Sequence, residues 1–351
     1  MATALSLKRM APELSVFIVD PGRRTPSVGE GLPPPAGPVL KELGLWEDFQ
    51  AQGHLEAHHT RAAWGTPDLN ANDYLYLGKG WGWTINRPAF DRLLWARARI
   101  CADAMIGGRL TGLRQQRTGW RAIVDGQNIE ARAIIDATGR AAAVGRLLGL
   151  RPVHTDRLIA VVAEATVELQ GETGVTVDAA PDGWWYSAPT GPGHRVWAWL
   201  TDSDLLSGQP VGEPARWKEA LRSSHAMSSL AQGAHFSNRR IVPAMTQRLT
   251  VSDETSMFLS VGDAGSCFDP ASSQGIVKAL RSGLFAGYAL YDCLVKGDSQ
   301  ALRRHRAYGA AEFAAYQSQH RIHYSAETRW PDRPFWHRRN GDMQATEVNP
   351  S

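Results

Sequence analysis

Along the chain, short and wholly apolar runs alternate with segments that carry one apolar face, an order that predicts an α/β protein. Residues 1–10 read as a helix that stops before Pro12, because proline has no amide proton for the helix ladder. Residues 14–20 (LSVFIVD) form a continuous apolar run closed by Asp20, the pattern of a buried parallel strand whose carboxyl end faces a ligand crevice. A Pro/Gly-rich loop over 22–38 leads to a helix over 39–49, with Val39, Leu40, Leu43 and Trp46 on one face. Extended segments are expected at 54–64 and 72–84, a helix at 87–102, short strands around Trp120 and Ile129, and a buried strand at 131–136 that breaks at Gly139.

Beyond residue 157 the periodicity changes. Longer strands at 158–169 and 194–200 flank Gly183-Trp184-Trp185-Tyr186, which predicts a mostly antiparallel sheet. A helix over 214–226 follows, then a buried strand at 257–261 that runs into Gly262-Asp263. Long helices are expected over 274–295 and 299–323, with a polar tail from 340 that frays.

Composition narrows the class. At roughly 150 residues per domain, 351 residues suffice for about two domains. Lys+Arg number 38 against Asp+Glu 35, and the basic residues are scattered, so no nucleic-acid footprint is visible. No apolar run approaches the ~18 residues of a membrane span, and the first ten residues lack the basic-then-apolar order of a secretory signal. Cys101, Cys267 and Cys293 form no disulfide framework, which together with the missing signal predicts a cytoplasmic protein.

The densest chemistry lies in Gly262-Asp263-Ala-Gly-Ser-Cys-Phe-Asp269-Pro270-Ala-Ser-Ser-Gln274-Gly275-Ile276, between a strand and a long helix. A helix start carries about half a positive charge and unpaired amides, so it attracts an anionic group. The run resembles the second flavin fingerprint of FAD-dependent monooxygenases and halogenases of the p-hydroxybenzoate hydroxylase type. That resemblance implies a ribityl contact for Asp263 and ring contacts for Pro270, Gln274, Gly275 and Ile276; read alone, the same run is an N-cap turn built on Asp263 and Asp269. Val28-Gly29-Glu30-Gly-Leu32 looks like the loop beside the flavin in the halogenase branch. Arg87, in Asn86-Arg87-Pro-Ala-Phe90-Asp91, resembles the arginine that approaches the FAD phosphates. Asp136-Ala-Thr-Gly139-Arg140 resembles the strand-end motif over the pyrophosphate, and Asp20 stands where the ribose-binding acid is expected.

The implied fold is α/β: a Rossmann-like (GR2-type) FAD-binding domain with an inserted, mostly antiparallel substrate domain and C-terminal helices. It divides the chain into 1–150 (FAD-binding, first part, with small substrate-side segments near 54–84), 151–245 (substrate sheet), 246–298 (FAD-binding, second part) and 299–351 (helices and tail). No G-x-G-x-x-G precedes Asp20; the expectation is that the first strand and glycine loop, on the order of 15 residues, are encoded upstream of Met1.

Gly183-Trp184-Trp185-Tyr186, Thr201-Asp202 and Arg329-Trp330-Pro331-Asp-Arg-Pro334-Phe335-Trp336 look most like flavoprotein monooxygenases that mature peptidyl quinone cofactors. This implies hydroxylation of an electron-rich aromatic substrate, a tryptophan within a partner protein or peptide, with NAD(P)H or a partner flavin reductase as electron donor. Trp184, Trp185 and Pro270 are the candidates closest to the reaction, the two tryptophans as a wall between flavin and substrate; no acid or base is assigned, and an aromatic core is the alternative reading of the tryptophans. A halogenase would need a lysine soon after a Trp-Gly pair, whereas Trp64-Gly65 is followed by Thr66 and Pro67, with Lys79 the nearest. Halogenation and a flavin-free binding module are the alternatives. The His54/His58 and His320/His323 pairs lack a third ligand at zinc spacing, so no metal is expected.

Overall fold

The computed structural model describes residues 1–22, 30–73, 80–167, 174–206, 214–237, 239–251 and 257–346. Val28, Gly29 and Lys79, and the far end of the strand expected at 158–169, lie outside the described residues.

Two pieces of parallel sheet support the first layer. Phe17–Asp20 pairs with Ala104–Gly107, and Ile134–Asp136 pairs with Phe258–Ser260. Helices Ala2–Met10 and Gly275–Leu294 pack on each other at close range. That approach needs glycine, since a Cβ at Gly287 would stand 2.3 Å from Ser6 Oγ. Ser6 uses the same hydroxyl to donate to the Leu284 carbonyl at 2.8 Å. Leu7, Val261, Leu259, Leu290 and Leu302 close the core on one side of this helix pair, and Leu32, Leu40, Ile85, Phe90 and Val277 close it on the other.

The first strand is shorter than its apolar run and only half covered. It begins at Phe17, and Phe17 and Val19 are 45% and 37% exposed, so the expected fully buried strand has one open face among the described residues. The helix expected over 39–49 splits into Ala36–Glu42 and Trp46–Ala51, because Gly44 turns the chain through a left-handed φ of +68°. The one expected over 214–226 also splits, with Ser224 capping His225–Leu230 through the Met227 amide. Residues 340–346 of the expected tail continue helix Pro334–Thr346, which is anchored by Phe335 and Trp336, both wholly buried; 347–351 lie outside the described residues.

The second layer is one large twisted sheet. Its order is His235–Phe236, Leu158–Thr166, His194–Asp202, Gly183–Gly191, Val175–Ala180, His59–Ala63 and Asn70–Asp73, with Arg240–Pro243 also pairing on Leu158–Thr166. All its pairings are antiparallel except Val175–Ala180 with His59–Ala63. One face packs Trp184, Tyr186, Ala198 and Leu200 against Tyr324, Phe335 and Trp336 of the C-terminal helices. The other packs Trp185, Trp197 and Trp199 against Trp217 and Met227. Burial of each such tryptophan contributes roughly 4–6 kcal/mol of transfer free energy, which makes this sheet the most strongly cored part of the chain. No helix among the described residues is long and apolar enough to cross a membrane.

Candidate functional site

Two strand ends leave the second parallel pair side by side, Asp136 opposite Ser260. Asp136 is wholly buried and organises the turn that follows: one carboxylate oxygen accepts from the Thr138 amide and hydroxyl at 3.0 and 2.6 Å, the other from the Gly145 amide at 2.9 Å. Gly139 then takes a φ of +68°, and an added Cβ there would meet nothing within 4 Å. The turn Gly139–Ala141 packs against Gly262–Ala264, so the two glycine turns sit together.

Past Gly262 the chain forms an open ledge. Pro270, Ser273, Gln274 and Gly275 are exposed, and Gly275 again has open space where a Cβ would stand. Helix Gly275–Leu294 starts with no side-chain cap and no acid in its first turn. Its positive end is therefore presented to whatever occupies the ledge. Ile276 turns inward onto the core that also holds Leu32, Ile85 and Phe90. This core brings three segments to the same region: the helix start, Glu30 beside Leu32, and Arg87 at the start of helix Arg87–Cys101.

The charged candidates Asp263, Arg87, Asp20 and Glu30 already have structural partners. Asp263 is 44% exposed and accepts from the buried Lys278 ammonium at 3.0 Å, which fixes one oxygen and leaves the carboxylate at the surface. Arg87 pairs with Asp91 at 2.9 Å, one helical turn on. Asp20 accepts from the Gly22 amide at 2.9 Å. Glu30 is buried and accepts from the Tyr186 phenol at 3.3 Å, a link between the large sheet and the Glu30 loop. Burial, reinforced by that carboxylate, pushes the Tyr186 phenol well above its ordinary value, so it stays neutral. Cys267 is buried in the same turn; burial and the Asp263 charge push its thiol up to about 12, which makes it inert as a nucleophile.

The expected wall of Trp184 and Trp185 does not exist. Consecutive residues of one strand point to opposite faces of the sheet, so the two cannot share a surface. Trp184 lies under Tyr324, whose hydroxyl accepts from its indole N–H at 2.9 Å, while Trp185 packs on Trp199 and Trp217 beneath the far helices. Both are wholly buried. Aromatic groups that do reach the surface near this face include Trp64 and Trp330, both partly exposed, and His323, exposed and stacked on Trp64 with ring centroids 4.2 Å apart.

Sequence reading passed over a buried polar cluster that ties the ledge to helix Ala301–Ser325. Asp269, immediately before Pro270, accepts from Tyr324 at 2.8 Å and from the Ala271 amide at 2.8 Å, and pairs with His320 Nε2 at 3.1 Å. Its own amide donates to the Tyr316 hydroxyl at 2.8 Å. Burial acts to raise the Asp269 carboxyl, but the hydrogen bonds from His320, Ala271 and Tyr324 outweigh it and hold the group below the ordinary carboxylate range. The i, i+3 histidine spacing was the signal available in sequence; its partner lies 51 residues away.

No protein-family model matches the chain. LodB, an FAD-dependent oxidoreductase of Marinomonas mediterranea, is 25% identical over 285 residues, which is 79% of this chain and 76% of LodB. Digeranylgeranylglycerophospholipid reductase of Methanosarcina mazei is 27% identical over 245 residues, 65% of this chain and 57% of the reductase. Among solved structures, the flavin-dependent halogenase CmlS superposes with a TM-score of 0.83 at 21% identity, over 99% of this chain and 67% of its own. The chondrochloren halogenase CndH gives 0.85 at 18%, over 99% and 85%. QhpG, a peptidyl tryptophan dihydroxylase essential for tryptophylquinone cofactor biogenesis, gives 0.71 at 21%, over 96% and 75%. The fold is that of the FAD-dependent monooxygenases and halogenases.

Proposed function

We propose that this chain is an FAD-dependent oxidoreductase that hydroxylates an electron-rich aromatic ring, with a peptide-borne tryptophan as the favoured substrate. The observation that carries this reading is the exposed ledge of Pro270, Gln274 and Gly275 at an uncapped helix start, together with a second open glycine turn at Gly139 that packs on the Gly262 turn leading into the ledge. LodB supports the flavin assignment, and QhpG, which acts on a peptidyl tryptophan, supports the substrate class.

The residues present fit FAD. Space stands open over Gly139 and Gly275, the first-turn amides of the helix have no side-chain cap, and the polar set suits a phosphate-bearing, polyhydroxylated ligand. Bound FAD would pass the donor's electrons to dioxygen, and dioxygen would be the source of the oxygen atom placed on the substrate. Arg87 would hold phosphate once it exchanges Asp91 for the ligand, and its planar fork suits that role. Asp20 and Asp263 would accept from sugar and ribityl hydroxyls, and the positive end of helix Gly275–Leu294 would stabilise negative charge on the ring. The aromatic face around Trp64 would help to keep water out.

The electron donor is proposed to be NAD(P)H, used directly or through a partner flavin reductase. The test is a titration of the purified protein with FAD, followed by turnover with each donor, a tryptophan-containing peptide or free tryptophan, and chloride present. Hydroxylated peptide supports the reading; a chlorinated product replaces it with halogenation, and no flavin binding overturns both.

A further inference from the structure

Tyr324 sits at the centre of an aromatic cluster to which the proposed oxygen transfer gives no redox role. Its ring lies 5.4 Å from Trp64 and 5.8 Å from Trp336. Trp64 in turn lies 6.1 Å from Trp184 and 5.4 Å from Trp336, and Trp336 lies 6.1 Å from the partly exposed Trp330. Tyr324 is wholly buried, and its hydroxyl donates to the Asp269 carboxylate at 2.8 Å while accepting from Trp184 at 2.9 Å. Asp269 is paired with His320 in turn.

A phenol with an ionised carboxylate in hydrogen-bond contact can lose its proton as it loses an electron, which avoids creating a buried cation. Arg339, with its guanidinium 5.4 Å from the Tyr324 ring, makes a cationic form more costly still and favours the neutral one. The other buried tyrosines lack this combination. Tyr316 has its hydroxyl engaged with the Thr246 hydroxyl and the Asp269 amide, and Tyr186 reaches Glu30 at 3.3 Å but stacks on no aromatic ring among the described residues.

We infer that Tyr324 is a redox-active tyrosine, the residue on which an oxidising equivalent that enters the surrounding tryptophans comes to rest. The oxidant is a strong one-electron acceptor of the hydroxyl-radical class, which becomes hydroxide. It takes one electron from Trp64, Trp336 or Trp184 and is itself reduced. The tryptophan is restored by one electron from Tyr324, whose phenolic proton passes along the 2.8 Å hydrogen bond to Asp269 and is retained there with His320. What remains is one neutral tyrosyl radical and intact tryptophans, which spares the aromatic face from irreversible oxidation. This goes beyond the oxygen-transfer reading and requires no bound flavin.

The experiment uses the whole chain without added FAD and generates the oxidant by flash photolysis of a ruthenium tris-bipyridine complex with a sacrificial acceptor. Paramagnetic resonance of the trapped radical is expected to show a neutral tyrosyl doublet, retained in Tyr316→Phe and Tyr186→Phe and lost in Tyr324→Phe, where a tryptophan radical takes its place. Asp269→Asn keeps the volume but removes the proton acceptor, and is expected to lower the tyrosyl yield and prolong the tryptophan radical. In the unmodified protein the tyrosyl rise is expected to be independent of buffer-base concentration, since the acceptor is internal; this holds the test open should a variant fail to fold. An undiminished doublet in Tyr324→Phe, unmodified kinetics in Asp269→Asn, or a rise that scales with buffer base would overturn the assignment.

Discussion

At the scale of single residues, space and hydrogen bonding separate the groups that build the ledge from those free to hold a ligand. Gly275 has nothing within 4 Å of a would-be Cβ, so Gly275→Val should leave the unliganded protein's stability within about 0.5 kcal/mol. The same substitution should weaken FAD by about tenfold or more, roughly 1.4 kcal/mol, if the ring occupies that space. Flavin fluorescence titration reads the affinity and thermal melting reads the stability; an affinity within about twofold of the parent protein removes Gly275 from the contact surface. Asp136 makes the opposite case. Three donors converge on its buried carboxylate, so Asp136→Ala should cost about 3 kcal/mol in denaturant unfolding, and a loss under about 1 kcal/mol would show the turn to be held by something else. In the sequence, Asp136 was only the residue before an Ala-Thr-Gly turn, whereas Gly139, Gly262 and Gly275 stood out because glycine marks places where backbone must be bare. Asp269 and His320 were unreadable as a pair for a plain reason: separation in sequence hides a contact that only the docking of two elements creates.

Elements were legible where one periodicity ran long. Helices Arg87–Cys101, Gly275–Leu294 and Ala301–Ser325 match the expected spans to within two residues at each end. The C-terminal helix was missed because its apolar anchors are only Phe335 and Trp336, and ion pairs supply much of the rest of its attachment. Arg339 is 8% exposed and donates at 2.7 Å to the buried Asp202, and Glu327, wholly buried, binds Arg329 and the Gly65 amide. Burial acts to raise the Glu327 carboxyl, but hydrogen bonds from Arg329 and Gly65 prevail and hold it below the ordinary glutamate range. A group depressed in the folded state stabilises it above its unfolded value, and that contribution drains away as the pH falls through the lower folded value. Acid should therefore loosen the junction of residues 327–346 with the sheet, read as faster amide exchange there, and Glu327→Gln should flatten that pH dependence while destabilising the chain by about 2–3 kcal/mol. An acid response unchanged in Glu327→Gln would assign it to other carboxylates. Strand alternation taught the same lesson at Trp184 and Trp185: period two fixes opposite faces, so a tryptophan pair adjacent in sequence cannot form one wall.

Over the whole molecule, the order of apolar runs carried the α/β class, and the change of periodicity near residue 157 carried the large sheet. The family resemblance implied small substrate-side segments near 54–84, but local pattern did not show how His59–Ala63 joins that sheet in parallel and brings the antiparallel Asn70–Asp73 with it, because a parallel pairing to a distant strand leaves no local mark. The ledge, the Asp269 cluster and the aromatic face meet only through that assembly. A reader of the fold alone could assign a halogenase as readily as a hydroxylase, since both superpose over nearly the whole chain. Both use dioxygen, and what distinguishes them is whether one of its atoms ends on the substrate. The measurement that tests the central claim most directly is mass spectrometry of a tryptophan-containing peptide incubated with the protein, FAD, a reduced-flavin source, chloride and heavy-isotope dioxygen. A peptide that carries the heavy oxygen on its indole ring is the predicted result. A chlorinated indole, or peptide recovered unchanged while the flavin is reoxidised, would contradict it.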